Sequence, residues 1–210
     1  LGPAFHNREG AIRMMGVTAL PGGATCRFRV RTWDRHGQVL VQAPEGTTHL
    51  RLDLAFGSVE IAVAPHETDV FAGRRTVFTL SRNNRLDWVQ DWLRFARDIH
   101  GADAALVYDN ASSAYSTEEL LRAIGAVDGI AVARVVPWPF RYGPQGLDAH
   151  RFWDSDFCQH GAWEDARRRF LQAAAGAQNA DIDEMVLIRS GQTVFEVAAA
   201  DAFGVARYGG

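Results

Sequence analysis

The hydrophobic period of this chain changes once, and that change limits what it can fold into. From Cys26 to Val63 apolar and polar residues alternate; from Thr76 onward short apolar runs alternate with helically spaced ones. A two-residue period fits a half-buried strand, and a 3.6-residue period fits an amphipathic helix. Cys26, Phe28, Val30 and Thr32 fall on one face of the first strand, and Arg27, Arg29, Arg31 and Trp33 on the other. Asp34-Arg35-His36-Gly37 is a turn signal and Gln38–Gln42 a second strand, which makes a hairpin. Pro44-Glu45-Gly46 breaks the chain before Leu50, Leu52, Leu54 and Phe56, and Gly57-Ser58 before Val59, Ile61 and Val63. These segments predict a small antiparallel module of about five short strands, residues 1–73, with a packing role.

Residues 74–210 read as a second domain. Thr76–Leu80, Ala104–Tyr108 and Ile130–Val136 are short apolar runs of the kind buried parallel strands show. Between the first two, Trp88, Val89, Trp92, Leu93, Ala96 and Ile99 mark a helix that Gly101 stops. Between the second and third, Ser116 and Glu119 form a capping box before Leu120, Leu121 and Ile124. Strand-helix-strand-helix-strand is the pattern of a doubly wound, mostly parallel sheet. The fold class expected is therefore α/β, a Rossmann-like sheet preceded by an antiparallel β module. Past an aromatic-rich stretch (Trp138, Phe140, Tyr142, Phe152, Trp153), Trp163, Ala166, Phe170 and Ala174 stripe a helix over residues 162–175, with Glu164, Asp165 and Arg167–Arg169 on its wet face. Met185–Ile188 and Gln192–Ala198 read as strands.

Composition removes several chemistries. All 22 basic residues are arginine, a usage that together with abundant Ala and Gly suggests GC-rich bacterial coding. Without lysine there is no P-loop of the Walker type and no Schiff-base amine. A net charge of −3 argues against a dedicated nucleic-acid binder. No apolar run approaches the roughly 18 residues of a transmembrane helix, and a cytoplasmic location is expected. Cys26 and Cys158 read as buried small hydrophobes.

Three segments carry candidate chemistry. In open α/β sheets ligands bind beyond the carboxyl ends of the strands. Ser81-Arg82-Asn83 and Asp109-Asn110 stand at two such ends; the plainer reading of each is a helix cap and a chain turn. The third is Asp181-Ile182-Asp183-Glu184. In an extended segment Asp181 and Asp183 point to one side while Ile182 faces the core. Paired carboxylates repel unless a cation lies between them, and Mg²⁺ or Mn²⁺ prefers such oxygens.

In this order, the three motifs resemble the nucleotide-sugar glycosyltransferases of the A-type fold, most similarly family 92 and its bacterial relatives, over about residues 76–190. The resemblance implies a metal-dependent enzyme that moves a sugar from a nucleoside-diphosphate sugar to a glycan or other hydroxyl acceptor in surface polysaccharide synthesis, at the inner face of the membrane. It implies that Ser81, Arg82, Asn83, Asp109 and Asn110 line the nucleotide pocket, and that Asp181 and Asp183 hold Mn²⁺ or Mg²⁺ on the diphosphate, Asp181 also meeting the nucleotide sugar. Gln159 is a further candidate for sugar or diphosphate contact, and Trp138 and Trp153 for stacking or plain packing. The family's catalytic base is not evident: the candidates are Glu184 and Glu196, beside Asp201. The acceptor region of such enzymes needs more chain than follows Glu184, so the domain is either truncated at its C-terminus or a compact variant. A phosphatase of the haloacid-dehalogenase type also uses D-x-D, but near its start and with a lysine. The alternative outside enzymes is a non-catalytic nucleotide-sugar-binding or scaffolding domain.

Overall fold

The computed structural model describes residues 14–32, 37–143 and 156–208. It is mixed α/β, with a four-stranded parallel sheet and separate antiparallel sheets. The chain divides into two compact units: Leu1–Pro65 with Tyr142–Trp163, and His66–Arg141 with Glu164–Gly210.

In the first unit, β1 (Met14–Leu20), β2 (Ala24–Thr25), β5 (His49–Leu54) and β6 (Gly57–Ala62) form an antiparallel sheet in the order β2-β1-β5-β6. β3 (Arg27–Thr32) and β4 (Gly37–Gln42) form the expected hairpin, with Phe28 opposite Val41. Val17, Ala19 and Cys26 make a small core, covered by half-buried Phe28, Val41, Leu50 and Leu52. The half-buried reading of β3 holds only at Phe28; Val30, on the same face, is exposed. β1 was not expected. The turn signal at residues 33–36 and Phe152 and Trp153 lie outside the described residues.

The second unit is built on four parallel strands in the order β10-β7-β8-β9: β7 (Arg75–Ser81), β8 (Ala104–Asp109), β9 (Val132–Pro137) and β10 (Gly176–Asn179). Helices α1 (Leu86–His100) and α2 (Thr117–Gly125) cover one face. There Val77, Ala105 and Val107 pack with Val89, Trp92, Leu93, Leu120 and Ile124. Gly101 ends α1 in the left-handed conformation, φ 67°, which a residue without Cβ adopts at no steric cost. The α2 capping box is present as predicted. The α1 stripe is displaced: Trp88 and Ile99 are exposed, and His100 is buried instead.

On the opposite face Tyr108 donates to Asp165 Oδ2 at 2.8 Å, and Phe71 meets Phe170 edge to face. Asp165 closes α3 (Asp156–Asp165), and a π-helical turn follows over Ala166–Phe170. The helix expected over residues 162–175 thus begins earlier and ends earlier, and Asp165 is buried rather than on a wet face.

Two strand predictions are corrected. Gln192–Ala198 contains a helix, α4 (Val194–Ala200), started by a Thr193–Glu196 capping box. Met185–Ile188 is irregular, and the strand of this region is β10, which precedes the acidic motif. A Cβ on Gly176 would lie 2.5 Å from Phe195 Cδ1, so α4 approaches β10 at a position only glycine allows. Among the described residues no helix is long and apolar enough to cross a membrane.

Candidate functional site

β7, β8 and β9 end level with one another, Ser81 pairing with Asp109 and Asp109 with Pro137. The connections from β7 run to β8 and β9 on one side, and β10 lies on the other side of β7. A switch point therefore falls between β7 and β10, where open α/β sheets form their ligand crevice. The loop Arg82–Arg85 leaves the end of β7, and the acidic motif leaves the end of β10.

The first two loops are tied to each other. Asn83 takes a left-handed conformation (φ 56°), as asparagine tolerates. Its Oδ1 accepts from the Ser113 and Ala114 N–H groups at 2.7 and 3.0 Å, and its own N–H donates to Ser112 Oγ at 2.9 Å. Ser81 is buried and accepts from Asn84 Nδ2, and its carbonyl accepts from the Asn110 N–H. Asn110 donates its side-chain amide to the Trp138 and Phe140 carbonyls at 2.8 and 2.7 Å. Asn83 and Asn110 thus spend their side chains largely on fixing the loops.

Asp109 is buried to 6 % exposure, and its Oδ1 accepts from the Ser112 N–H at 3.3 Å. Its carboxylate is thus partly enclosed. Arg82 is exposed, without an ion pair or hydrogen bond among the described residues. Beside these loops a cleft of about 470 Å³ opens at the first turn of α1, lined by Asn83, Asn84, Arg85, Asp87, Tyr115 and Glu119. The Tyr115 hydroxyl oxygen is enclosed there without a partner among the described residues, a condition a ligand polar group relieves. The sequence reading passed over Tyr115; its only signal was an aromatic among the serines of a strand-end loop.

The acidic motif is a turn rather than an extended segment. The Glu184 N–H donates to the Asp181 carbonyl at 3.0 Å, and the Asp181 N–H donates to Glu184 Oε2 at 3.1 Å. Strand alternation therefore does not bring Asp181 and Asp183 to one side. Ile182 is buried in the core as expected, Asp181 is half-buried, and Asp183 and Glu184 are exposed. The Tyr208 hydroxyl donates to the Asn179 carbonyl beside this turn. Burial first, and then the Glu184 and Asp181 carboxylates, push the Tyr208 hydroxyl above the ordinary tyrosine range. The Asn179 Oδ1 is enclosed without a partner among the described residues.

The turn offers hard oxygen donors of the kind Mg²⁺ and Mn²⁺ take. Among the described residues no group of three or more His, Cys, Asp or Glu comes together to hold a metal ion. The motif fits such a cation in kind, with diphosphate oxygens needed to complete its shell. The two candidate bases are both engaged by backbone: Glu184 as above, and Glu196 by the Thr193 N–H at 2.7 Å. Asp201 caps its own turn through the Phe203 N–H. Gln159 lies in α3 within the other unit. Trp138 is buried against Tyr108 and Phe140 at 5.3 and 4.7 Å, so the packing reading describes it. Trp153 lies outside the described residues. In comparisons with known proteins, the chain matches no protein-family model, no curated protein and no solved structure.

Proposed function

We propose that the parallel-sheet unit binds a nucleoside-diphosphate sugar at its carboxyl edge and belongs to a glycosyltransferase of the A-type fold. The reaction is transfer of the sugar to a glycan or other hydroxyl acceptor, in bacterial surface polysaccharide synthesis on the cytoplasmic side of the membrane. The observation that carries this reading is the switch point between β7 and β10, flanked by a fixed polar loop on one side and a carboxylate turn on the other.

In this reading Asp109 accepts from a base N–H or a ribose hydroxyl, since an ionised carboxylate only accepts. The Asn83–Ser113 and Asn110–Trp138 bonds hold the loops still, so little ordering cost falls on binding. Arg82 supplies an exposed guanidinium for phosphate oxygens. Asp181 and Asp183 hold Mn²⁺ or Mg²⁺, which when bound stabilises the charge left on the departing nucleoside diphosphate. A second reading, a binding domain without catalysis, is favoured by one observation: the carboxylates of both Glu184 and Glu196 already accept from backbone.

Calorimetry with UDP and GDP, with and without Mn²⁺, tests the site. Asp109→Ala is expected to weaken the nucleoside contact ten- to a hundredfold even without metal, about 1.5–3 kcal/mol. Asp181→Asn and Asp183→Asn are each expected to abolish the metal-dependent part alone. Parent-like binding by all three variants sinks the proposal. Turnover of a labelled nucleotide sugar separates the enzyme from the binding domain.

A further inference from the structure

We propose that the outer face of the β3–β4 hairpin is a binding surface for an acidic glycan, a chain carrying carboxylate or phosphate groups. The choice of a glycan rests on the transferase reading above; the charge of the ligand rests on the hairpin alone.

Directly opposed residues of an antiparallel pair share a face. Arg27 opposes Gln42, Arg29 opposes Leu40, and Arg31 opposes Gln38, so one face carries three guanidiniums, two amides and one aliphatic side chain. The other face carries Phe28 and Val41, which cover the small core of the first unit. The pairing therefore commits the arginine face to solvent, and all three arginines are exposed.

They stand in a row without the carboxylate partners that several other arginines have. Arg74, Arg85, Arg94 and Arg134 each meet a carboxylate within 3.2 Å. Arg27, Arg29 and Arg31 have neither an ion pair nor a side-chain hydrogen bond among the described residues, and no carboxylate lies opposite them on β4. Three like charges with Cβ atoms about 7 Å apart along one strand repel one another. A linear polyanion removes that repulsion, because each planar guanidinium takes a carboxylate or phosphate through two parallel bonds.

The rest of the face suits a sugar chain. Side-chain amides suit hydroxyls, and Leu40 suits the C–H face of a sugar ring.

The test is binding of a hexagalacturonate to the full chain at low salt, followed by calorimetry without nucleotide or metal. Measurable binding is expected, weakened at least tenfold in the R27Q/R29Q/R31Q variant and lost at 0.3 M salt, with no binding of a neutral hexasaccharide. The variant changes only exposed side chains, and an unchanged melting temperature shows that it folds. No binding by the parent, or equal binding by the triple variant, overturns the proposal. Equal or tighter binding of oligothymidylate or of phosphatidylglycerol vesicles overturns it too, by assigning the face to another occupant. Because donor and metal are absent from this assay, its failure leaves the nucleotide measurements standing, and theirs leaves it standing.

Discussion

The two units stabilise themselves by different means. In the parallel-sheet unit all six residues of β8 are buried, and Trp92, Leu93, Leu120 and Ile124 seal one face of the sheet. Among the described residues of the β-rich unit, the buried apolar residues of the sheet core are Val17, Ala19 and Cys26, under partly exposed neighbours. Several arginines of the parallel-sheet unit are ion-paired, while three in a row on the hairpin of the β-rich unit are not. Dense burial fixes the strand ends so firmly that the loops beyond them can hold left-handed non-glycine residues, Asn83 and Ala111. Thin burial leaves a strand face that water or a ligand must cover.

The largest test of this contrast is a pair of core truncations. Trp92→Ala is expected to cost about 3–5 kcal/mol in urea unfolding. Phe28→Ala, already half exposed, is expected to cost about 1 kcal/mol. Equal costs break the comparison. A smaller effect concerns the polar side of the parallel sheet. Tyr108→Phe leaves the buried Asp165 carboxylate without its donor, and is expected to cost about 1–3 kcal/mol. A neutral result there means that another donor reaches Asp165.

The smallest effect concerns acid. The Ser116 backbone N–H, and then its hydroxyl, hold Glu119 below the usual glutamate range. A lowered folded-state value means stability that is complete above the ordinary value of 4.5 and is lost as pH falls through the lowered one. Glu119→Gln should therefore flatten the acid limb of the stability curve by lowering its neutral part, and leave stability below the lowered value nearly unchanged. An unaltered acid limb in chemical denaturation shows that the capping box contributes no pH dependence.

Elements with a local chemical cause were legible in the sequence. Gly101 stopped α1, Ser116 and Glu119 opened α2, and alternation gave the β3–β4 hairpin. β10 was missed because Gly176-Ala177-Gln178-Asn179 has no β-branched or aromatic residue; its place beside β7 makes it a strand. α4 was misread because Val194, Phe195 and Val197 are strand-like residues. The signal that identified α2 was there too, in Thr193 and Glu196. In the candidate site the loop positions were legible because strand ends are. The turn at Asp181 was not, since two acids one residue apart fit a turn as well as a strand, and the bond from the Asp181 N–H to Glu184 decides it.

The wide turn after α3 takes up an extra residue. The Leu171 N–H reaches back five residues to the Ala166 carbonyl at 2.9 Å, one residue further than an α-helix reaches. In an α-helix, side chains five apart stand roughly 140° from each other. Here Asp165 and Phe170 both turn inward, one to Tyr108 and the other to Phe71. Deleting one residue within Arg167–Arg169 would restore ordinary α-helical winding with hardly any change in helix content. Asp165 and Phe170 would then stand four apart, about 40° from each other, so both inward contacts could still be made. The turn lets the chain carry one extra residue while a buried phenol keeps its acceptor and Phe170 keeps its place against Phe71.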